Sequence, residues 1–349
     1  VNGDGYSDVI VGAPYYSNIQ HVEGRVWVWH GSSSGISETH NWRVECNQDY
    51  GHCGRSVGTA GDVDRDGYDD IIIGAPGFSW EQDNEGRALV WHGSGAGVNG
   101  GVNGNPYDPD WKAECNQEDA AFGVSVSTAG DVNGDGYAEV IVGASLYDNG
   151  QTNEGGAWLY LGSSSGLETT SANHDEGNQA DAIFGYSVST AGDVNGDGYA
   201  DVIVGAPRYT AGQDEEGRTW VWHGGPSGIS ETRDWQYEGN QAEARFGWSV
   251  ATAGDVNGDG YSDVIIGSYL YQLPTPDEGA AFVFHGAAGG LGQEAGWTKV
   301  SNKENAYFGW SVGTAGDVDG DGLADVIGGA PFWDGGQVSE GRAWVYLGD

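Results

Sequence analysis

The stretch AGDVNGDGYADVIVGAP at residues 191–207 decides the fold, because near-copies of it recur along all 349 residues. The first Asp of each loop falls at Asp62, Asp131, Asp193, Asp255 and Asp317, at intervals of 69, 62, 62 and 62 residues. Residues 1–14, VNGDGYSDVIVGAP, are a sixth copy whose leading Asp would precede Val1. A period of this length marks a repeat architecture and leaves no room for a separate second domain. The whole chain, 1–349, is expected to be one domain with repeats near 1–61, 62–130, 131–192, 193–254, 255–316 and 317–349, the first and last incomplete.

Each unit has the same internal order. FGxSVxTA comes first (Phe184–Ala191, Phe246–Ala253, Phe308–Ala315), then the acidic loop, then DVIVGAP. A variable polar stretch ending in Glu-Gly leads to RVWVWHG (Arg25–Gly31) and its relatives, and a Gly/Ser turn leads to a last short run such as NWRVE or DWQYE. Four runs of β-branched and aromatic residues bounded by turn signals read as four strands, A to D. In strand C, Trp27 and Trp29 alternate with Val26 and Val28, so both faces are apolar and both must be covered. No helical period appears. Radially repeated four-stranded units make an all-β propeller, whereas a β-sandwich needs distinct inner and outer faces. The spacing favours six blades and also fits seven.

Bulk composition excludes several classes. The 64 glycines follow no G-X-Y period, and 15 Trp with 18 Tyr are too many for a disordered polymer. No apolar run is long enough for a membrane-spanning helix. A formal charge of −39 argues against nucleic acid and against anionic membrane surfaces. Three cysteines, Cys46, Cys53 and Cys115, are too few for a disulfide scaffold and show no zinc spacing. Starting at Val1, with no Met anywhere, the chain reads as a segment of a longer product.

Numbered from its leading Asp, one acidic loop offers Asp193 (1), Asn195 (3), Asp197 (5), Gly198 (6), Tyr199 (7) and Asp201 (9). Side-chain oxygens at 1, 3, 5 and 9, the carbonyl of 7 and a turn-forming Gly at 6 suit a hard cation with many oxygen ligands, hence Ca²⁺. An EF-hand begins alike but needs a Glu at position 12, where this loop has Val204 inside a strand. Asp, Asn and Gly also make good hairpin turns, but a turn alone does not explain one spacing held in every copy. The other sets are Asp62, Asp64, Asp66, Tyr68 and Asp70; Asp131, Asn133, Asp135, Tyr137 and Glu139; Asp255, Asn257, Asp259, Tyr261 and Asp263; and Asp317, Asp319, Asp321, Leu323 and Asp325. The first loop keeps Asn2, Asp4, Tyr6 and Asp8 and is expected to be weakest or empty. Five to six structural calcium ions are expected, each pinning strand A to strand B.

The combination of FG, DxNGDGxxD and GAP in one unit resembles the FG-GAP repeat, known from the N-terminal propeller of integrin α subunits and from bacterial surface and secreted proteins. The likeness runs from 1 to 349, with local departures: Cys53 stands for Phe, and GAS (143–145), GSY (267–269) and GGAP (328–331) vary the GAP element. It implies calcium in the A–B hairpins and a ligand face on the opposite side, where the B–C loops carry Tyr15, Tyr16, Phe78, Trp80, Tyr147, Tyr209, Tyr269, Tyr271, Phe332 and Trp333. Aromatics on loops held by a rigid scaffold suit protein or glycan contacts; their alternative use is folding back over the blades.

Other repeated features read as structural. Histidines 30, 92, 223 and 285 share one position with Leu161 and Leu347, which points to packing. Glu-Gly-Arg at 23–25, 85–87, 216–218 and 340–342 reads as an ion pair or backbone brace at the start of strand C. A Cys46–Cys53 bridge would close one D–A connection. No nucleophile elbow, P-loop or dinucleotide fingerprint is present. The expectation is a non-catalytic, extracellular, calcium-stabilised adhesion or recognition module. Alternatives are a subunit of a surface layer or filament, completed by strands from a neighbouring molecule, and an accessory domain of a carbohydrate-active enzyme.

Overall fold

The computed structural model describes residues 1–349 and contains six antiparallel sheets, joined in sequence order as the blades of a β-propeller. Blade 1 has strands B, C and D at Val9–Ala13, Arg25–Trp29 and Trp42–Glu45. Blade 2 runs Ser56–Gly61, Asp70–Ala75, Arg87–Trp91 and Trp111–Ala113, and blade 3 runs Phe122–Gly130, Glu139–Ala144, Gly156–Tyr160 and Asn173–Glu176. Blade 4 is Ser187–Gly192, Asp201–Ala206, Arg218–Trp222 and Trp235–Glu238; blade 5 is Ser249–Gly254, Asp263–Ser268, Ala280–Phe284 and Trp297–Val300. Blade 6 has strands A, B and C at Ser311–Gly316, Asp325–Ala330 and Arg342–Tyr346. The one helical element is a short 3₁₀ turn, Val98–Gly101, in the long C–D loop of blade 2. The chain divides into two compact units, Val1–Asp131 with Asp135–Glu176, and Val132–Gly134 with Gly177–Asp349.

In blades 2 to 5 strands B and C form the middle of the sheet, and strand B is buried along its length. In the first unit Ile72 and Val90 of blade 2 pack against Val126, Val140 and Val142 of blade 3. In the second, Ile203 and Val221 of blade 4 pack against Val264, Ile266 and Phe284 of blade 5. The Phe of each FG pair is fully buried, edge-on to a strand C ring: Phe184 to Trp220, Phe246 to Phe282 and Phe308 to Trp344. Burying each such ring contributes about 1.5–3 kcal/mol.

The two glycines of the signature have one geometric cause. The Gly of GAP on one blade faces the backbone carbonyl of the FG Gly on the next. A Cβ at Gly74 would lie 1.9 Å from the Gly123 oxygen, one at Gly205 2.1 Å from Gly247, and one at Gly267 2.0 Å from Gly309. Neighbouring blades are thus backbone to backbone at this point, where no side chain fits.

Two polar contacts repeat beside it. The Gln of ECNQ or EGNQ clasps the next blade's B–C loop with both ends of its amide. Gln48 donates to Ser79 O (2.7 Å) and accepts from Ser79 N (2.6 Å), and Gln117, Gln179 and Gln241 treat Asp148, Thr210 and Gln272 alike. The strand D tryptophans donate Nε1–H to the next C–D turn: Trp42 to Val102 O, Trp111 to Glu168 O and Trp235 to Gly292 O.

The Cys46–Cys53 bridge is absent. Both thiols are fully buried and free. They touch, and burial followed by the neighbouring Cys53 pushes the Cys46 thiol well above its ordinary value. Cys115 is also free, pushed up to about 11 by burial.

Candidate functional site

In blades 2 to 6 the acidic loop is a tight A–B hairpin with a register shift at its base, as between Thr190 and Gly192. Its carboxylates first organise their own backbone. Asp193 Oδ1 accepts from Gly196 N and Asp197 N, and its Oδ2 accepts from Gly198 N at 2.8 Å. Asn195 Oδ1 accepts from Asp197 N, and Asp197 Oδ1 from Tyr199 N. The Asp255 and Asp317 loops repeat the pattern. These bonds hold the side chains of positions 1, 3 and 5 against their own loop backbone.

Position 9 is different. Asp201 is fully buried at the first residue of strand B, with Oδ2 accepting from Val194 N and Oδ1 from Gly224 N, both at 2.8 Å. Asp70 and Asp263 make the same two bonds, tying loop, strand B and the end of strand C together. Glu139, one methylene longer, meets Gly162 N at 3.4 Å. Burial pushes the Asp70 and Asp201 carboxyls up to about 6 and raises Asp263, while these backbone donors pull all three down. A buried carboxylate of this kind favours a cation beside it.

In the two all-Asp loops the oxygens of positions 1, 3 and 9 converge, without Asp66 or Asp321 of position 5. Asp62, Asp64 and Asp70, and likewise Asp317, Asp319 and Asp325, each bring one oxygen within 4.8 Å of the others. An all-oxygen, acidic donor set fits Ca²⁺.

Three contributions to the loops were not legible in the sequence. The tyrosine at position 7 packs its ring on position 4 of the preceding loop: a Cβ at Gly196 would lie 2.5 Å from the Tyr261 ring, and at Gly3 2.6 Å from Tyr68. Arg65 occupies position 4 of its loop with φ 61°, reaches Asp135 O at 3.0 Å and faces the Tyr137 ring. The strand C histidines do pack, His30, His92 and His223 lying under Gly97, Gly166 and Gly290 of the next C–D turn. Two also approach the loops, with Nδ1 of His92 3.3 Å from Asp64 and Nδ1 of His285 3.3 Å from Asp263.

At the other end of the sheets the expected exposed aromatics divide into two groups. Tyr16, Tyr147, Tyr209, Tyr271 and Trp333 fold back edge-on against Trp27, Trp158, Trp220, Phe282 and Trp344, at centroid distances of 5.0–5.8 Å. Phe78 is fully buried, because it holds the same anchor position under Arg87. Tyr15, Trp80 and Phe332 stay at the surface.

Glu and Arg of the Glu-Gly-Arg repeat do not pair with each other. Glu85 and Glu216 accept backbone N–H groups of their own B–C loops, while Arg25 and Arg218 pair with the strand D residues Glu45 and Glu238 and Arg87 with Glu114, just past strand D.

Around these loops the second unit carries a run of touching rings. Tyr186, Trp248 and Trp310, each just before strand A, connect through Tyr269 to Tyr307 and Phe332. Centroids are 4.4 Å apart for Tyr186–Trp248, 5.1 Å for Trp248–Trp310, 4.5 Å for Trp248–Tyr269 and 5.3 Å for Tyr307–Phe332. Trp310 is 39% and Phe332 44% exposed. Arg245 beside Tyr269 pairs with Glu215, which also faces Arg208 at 3.8 Å. The sequence signal for this run is an aromatic between FG and SV in blades 4 to 6, where blades 2 and 3 have Arg55 and Val124.

The FG-GAP repeat profile matches residues 1–29, 54–91, 122–160, 184–222, 246–284 and 308–346, one stretch in each blade. The chain is an FG-GAP repeat protein. Among curated proteins, this FG-GAP chain is 31% identical to integrin alpha-5 of Xenopus laevis over 67% of its length and 22% of that protein's. It is 29% identical to integrin alpha pat-2 of Caenorhabditis elegans over 83% of its length and 23% of that protein's. It therefore spans less than a quarter of these relatives. Among solved structures, the exotype rhamnogalacturonan lyase YesX aligns over 97% of the FG-GAP chain and 69% of its own, at 12% identity and a TM-score of 0.41, too low to carry an argument about activity. No helix is long and apolar enough to cross a membrane.

Proposed function

We propose that this FG-GAP propeller is a non-catalytic, extracellular adhesion or recognition module, stiffened by calcium in its A–B loops and binding a protein or glycan ligand on its aromatic face. The observation that carries the reading is the run from Tyr186 to Phe332, six rings contributed by three consecutive blades. Rings presented by a rigid scaffold, with the Arg245–Glu215 pair at their edge, supply contact area at small entropic cost together with polar groups that orient a partner. The relatives named integrin support a recognition role for the fold.

Calcium would be held by positions 1, 3, 5 and 9 of each loop and the carbonyl of position 7, namely Asp193, Asn195, Asp197, Asp201 and Tyr199 in blade 4 and their equivalents. Bound there, it supplies positive charge that stops the like charges at each hairpin tip from splaying the strands. Chelation should lower the melting temperature. An unchanged melt would remove calcium from the proposal.

The test of the recognition role is binding of the calcium-loaded chain to immobilised glycans and extracellular-matrix proteins, with Trp248→Ala and Trp310→Ala alongside. A ligand that loses at least tenfold in affinity with either variant supports the reading. A ligand whose affinity neither variant changes refutes the aromatic face as its site.

A further inference from the structure

We propose that the B–C loops of blades 1, 2 and 5 each enclose a hard divalent cation of the calcium type, at sites separate from the acidic A–B loops. Every B–C loop is closed by one bond from a Gly N–H to the carbonyl of the anchor aromatic: Gly24 to Tyr16, Gly86 to Phe78 and Gly279 to Tyr271 in these three blades. Inside each closed loop lies the Glu of the Glu-Gly pair. Glu23, Glu85 and Glu278 are all fully buried.

One oxygen of each carboxylate is occupied. Glu23 Oε1 accepts from Asn18 N, Glu85 Oε1 from Trp80 N and Glu81 N, and Glu278 Oε1 from Leu273 N and Thr275 N. The other oxygen, Oε2, is buried with no partner in all three. Three residues earlier in the same loops, Gln20 Oε1, Gln82 Oε1 and Thr275 Oγ1 are also buried without partners. Glu154 Oε2 in blade 3 is likewise buried with no partner, but the second oxygen there is not among the unpartnered ones. Three loops of unlike sequence thus bury the same two orphaned oxygens at the same spacing. The adjacent guanidinium groups make no hydrogen bond to these oxygens: Arg25 and Arg87 pair with Glu45 and Glu114 and keep buried nitrogens unpartnered, and blade 5 has Ala280 in that place.

A buried carboxylate oxygen and a second buried oxygen, neither with a donor, are costly unless a third group lies between them. Rotating an amide would relieve Gln20 and Gln82 but not Thr275, whose hydroxyl is free to donate and still meets no acceptor. Oxygen donors and a formal negative charge select a hard cation, with water completing its shell. Blade 4 provides the contrast. There Gln213 uses its amide on Asn240 O and Ala242 N, and Glu216 Oε1 takes three loop N–H groups.

Crystals of the intact chain grown in calcium chloride, with anomalous data collected at long wavelength, test this directly. Calcium peaks are expected inside loops 16–24, 78–86 and 271–279 and not inside 209–217. Density without anomalous signal at those three places, marking bridging water, overturns the proposal whatever the A–B loops contain. In Gln82→Leu the peak in 78–86 should disappear while the other two remain. A peak that persists there at full height overturns the assignment.

Discussion

Replacing Asp201 by Asn separates the two jobs that position 9 performs, bracing backbone and binding metal. Asp201 is fully buried and accepts one N–H on each oxygen, from Gly224 and from Val194, both at 2.8 Å. Asn has the same shape but a single acceptor, so its NH₂ must face one of these N–H groups. One charge-assisted bond is lost and a buried donor is left unpaired, a cost of about 2–4 kcal/mol. At about 2–4 °C per kcal/mol for a unit of this size, the melting temperature should fall by roughly 4–16 °C. The assay is calorimetric or denaturant unfolding, run once in excess chelator and once in saturating calcium. The control is Asp197→Asn at exposed position 5, where an amide oxygen keeps the bond from Tyr199 N and only the exposed bond from Asn195 Nδ2 is at stake. In chelator the control should move stability by less than about 0.5 kcal/mol, while Asp201→Asn keeps its full cost. In calcium both variants should suffer. Equal losses in chelator, or a loss below about 0.5 kcal/mol for Asp201→Asn, would refute the brace.

Three further outcomes are expected. Gln241→Ala removes both amide bonds to Gln272, at 3.0 and 2.7 Å, and should cost about 1–3 kcal/mol; hydrogen exchange should quicken in residues 271–279, and unchanged exchange there contradicts the clasp. Gly205→Ala places a Cβ 2.1 Å from Gly247 O and should cost about 1–3 kcal/mol or more in urea unfolding, whereas Gly336→Ala, with open space around it, should be within about 0.5 kcal/mol of wild type. The His174 ring, stacked on Trp158 at 4.4 Å, is held below its ordinary value by loss of water, with Glu176 opposing. The neutral ring's contribution to stability is therefore complete above about pH 6.5 and is lost as the pH falls through the folded value; an NMR titration midpoint at or above 6.5 would contradict this.

The strand order and the acidic hairpins were legible in the sequence because local rules dictate them: period-two apolar runs for strands, and Asp, Asn and Gly at fixed offsets for the loops. The FG and GAP glycines were legible as a signature but not as a contact, since Gly205 and Gly247 meet only when consecutive blades dock. Side-chain direction was less accessible. Phe78 and Phe332 sit in similar loops, yet one is fully buried and the other 44% exposed, because Phe78 holds the anchor position and Phe332 the place before it. The partner of Arg218 was hidden for a related reason. Glu216 is two residues away, but Glu238 lies directly opposite on strand D.

The backbone joint between neighbouring blades bears on how such a chain changes over generations. Gly205 meets Gly247 in the same way that Gly267 meets Gly309, and each pair is written within the two repeats it connects. A repeat copied by duplication therefore arrives carrying both halves of its joint and can be seated beside its parent without new surface having to be invented. The joint relies on absent side chains and main-chain oxygens, so the B–C loops beside it can drift in length and chemistry while it stays intact. Selection for a new partner then acts on the loops alone, with the frame inherited as an interchangeable part.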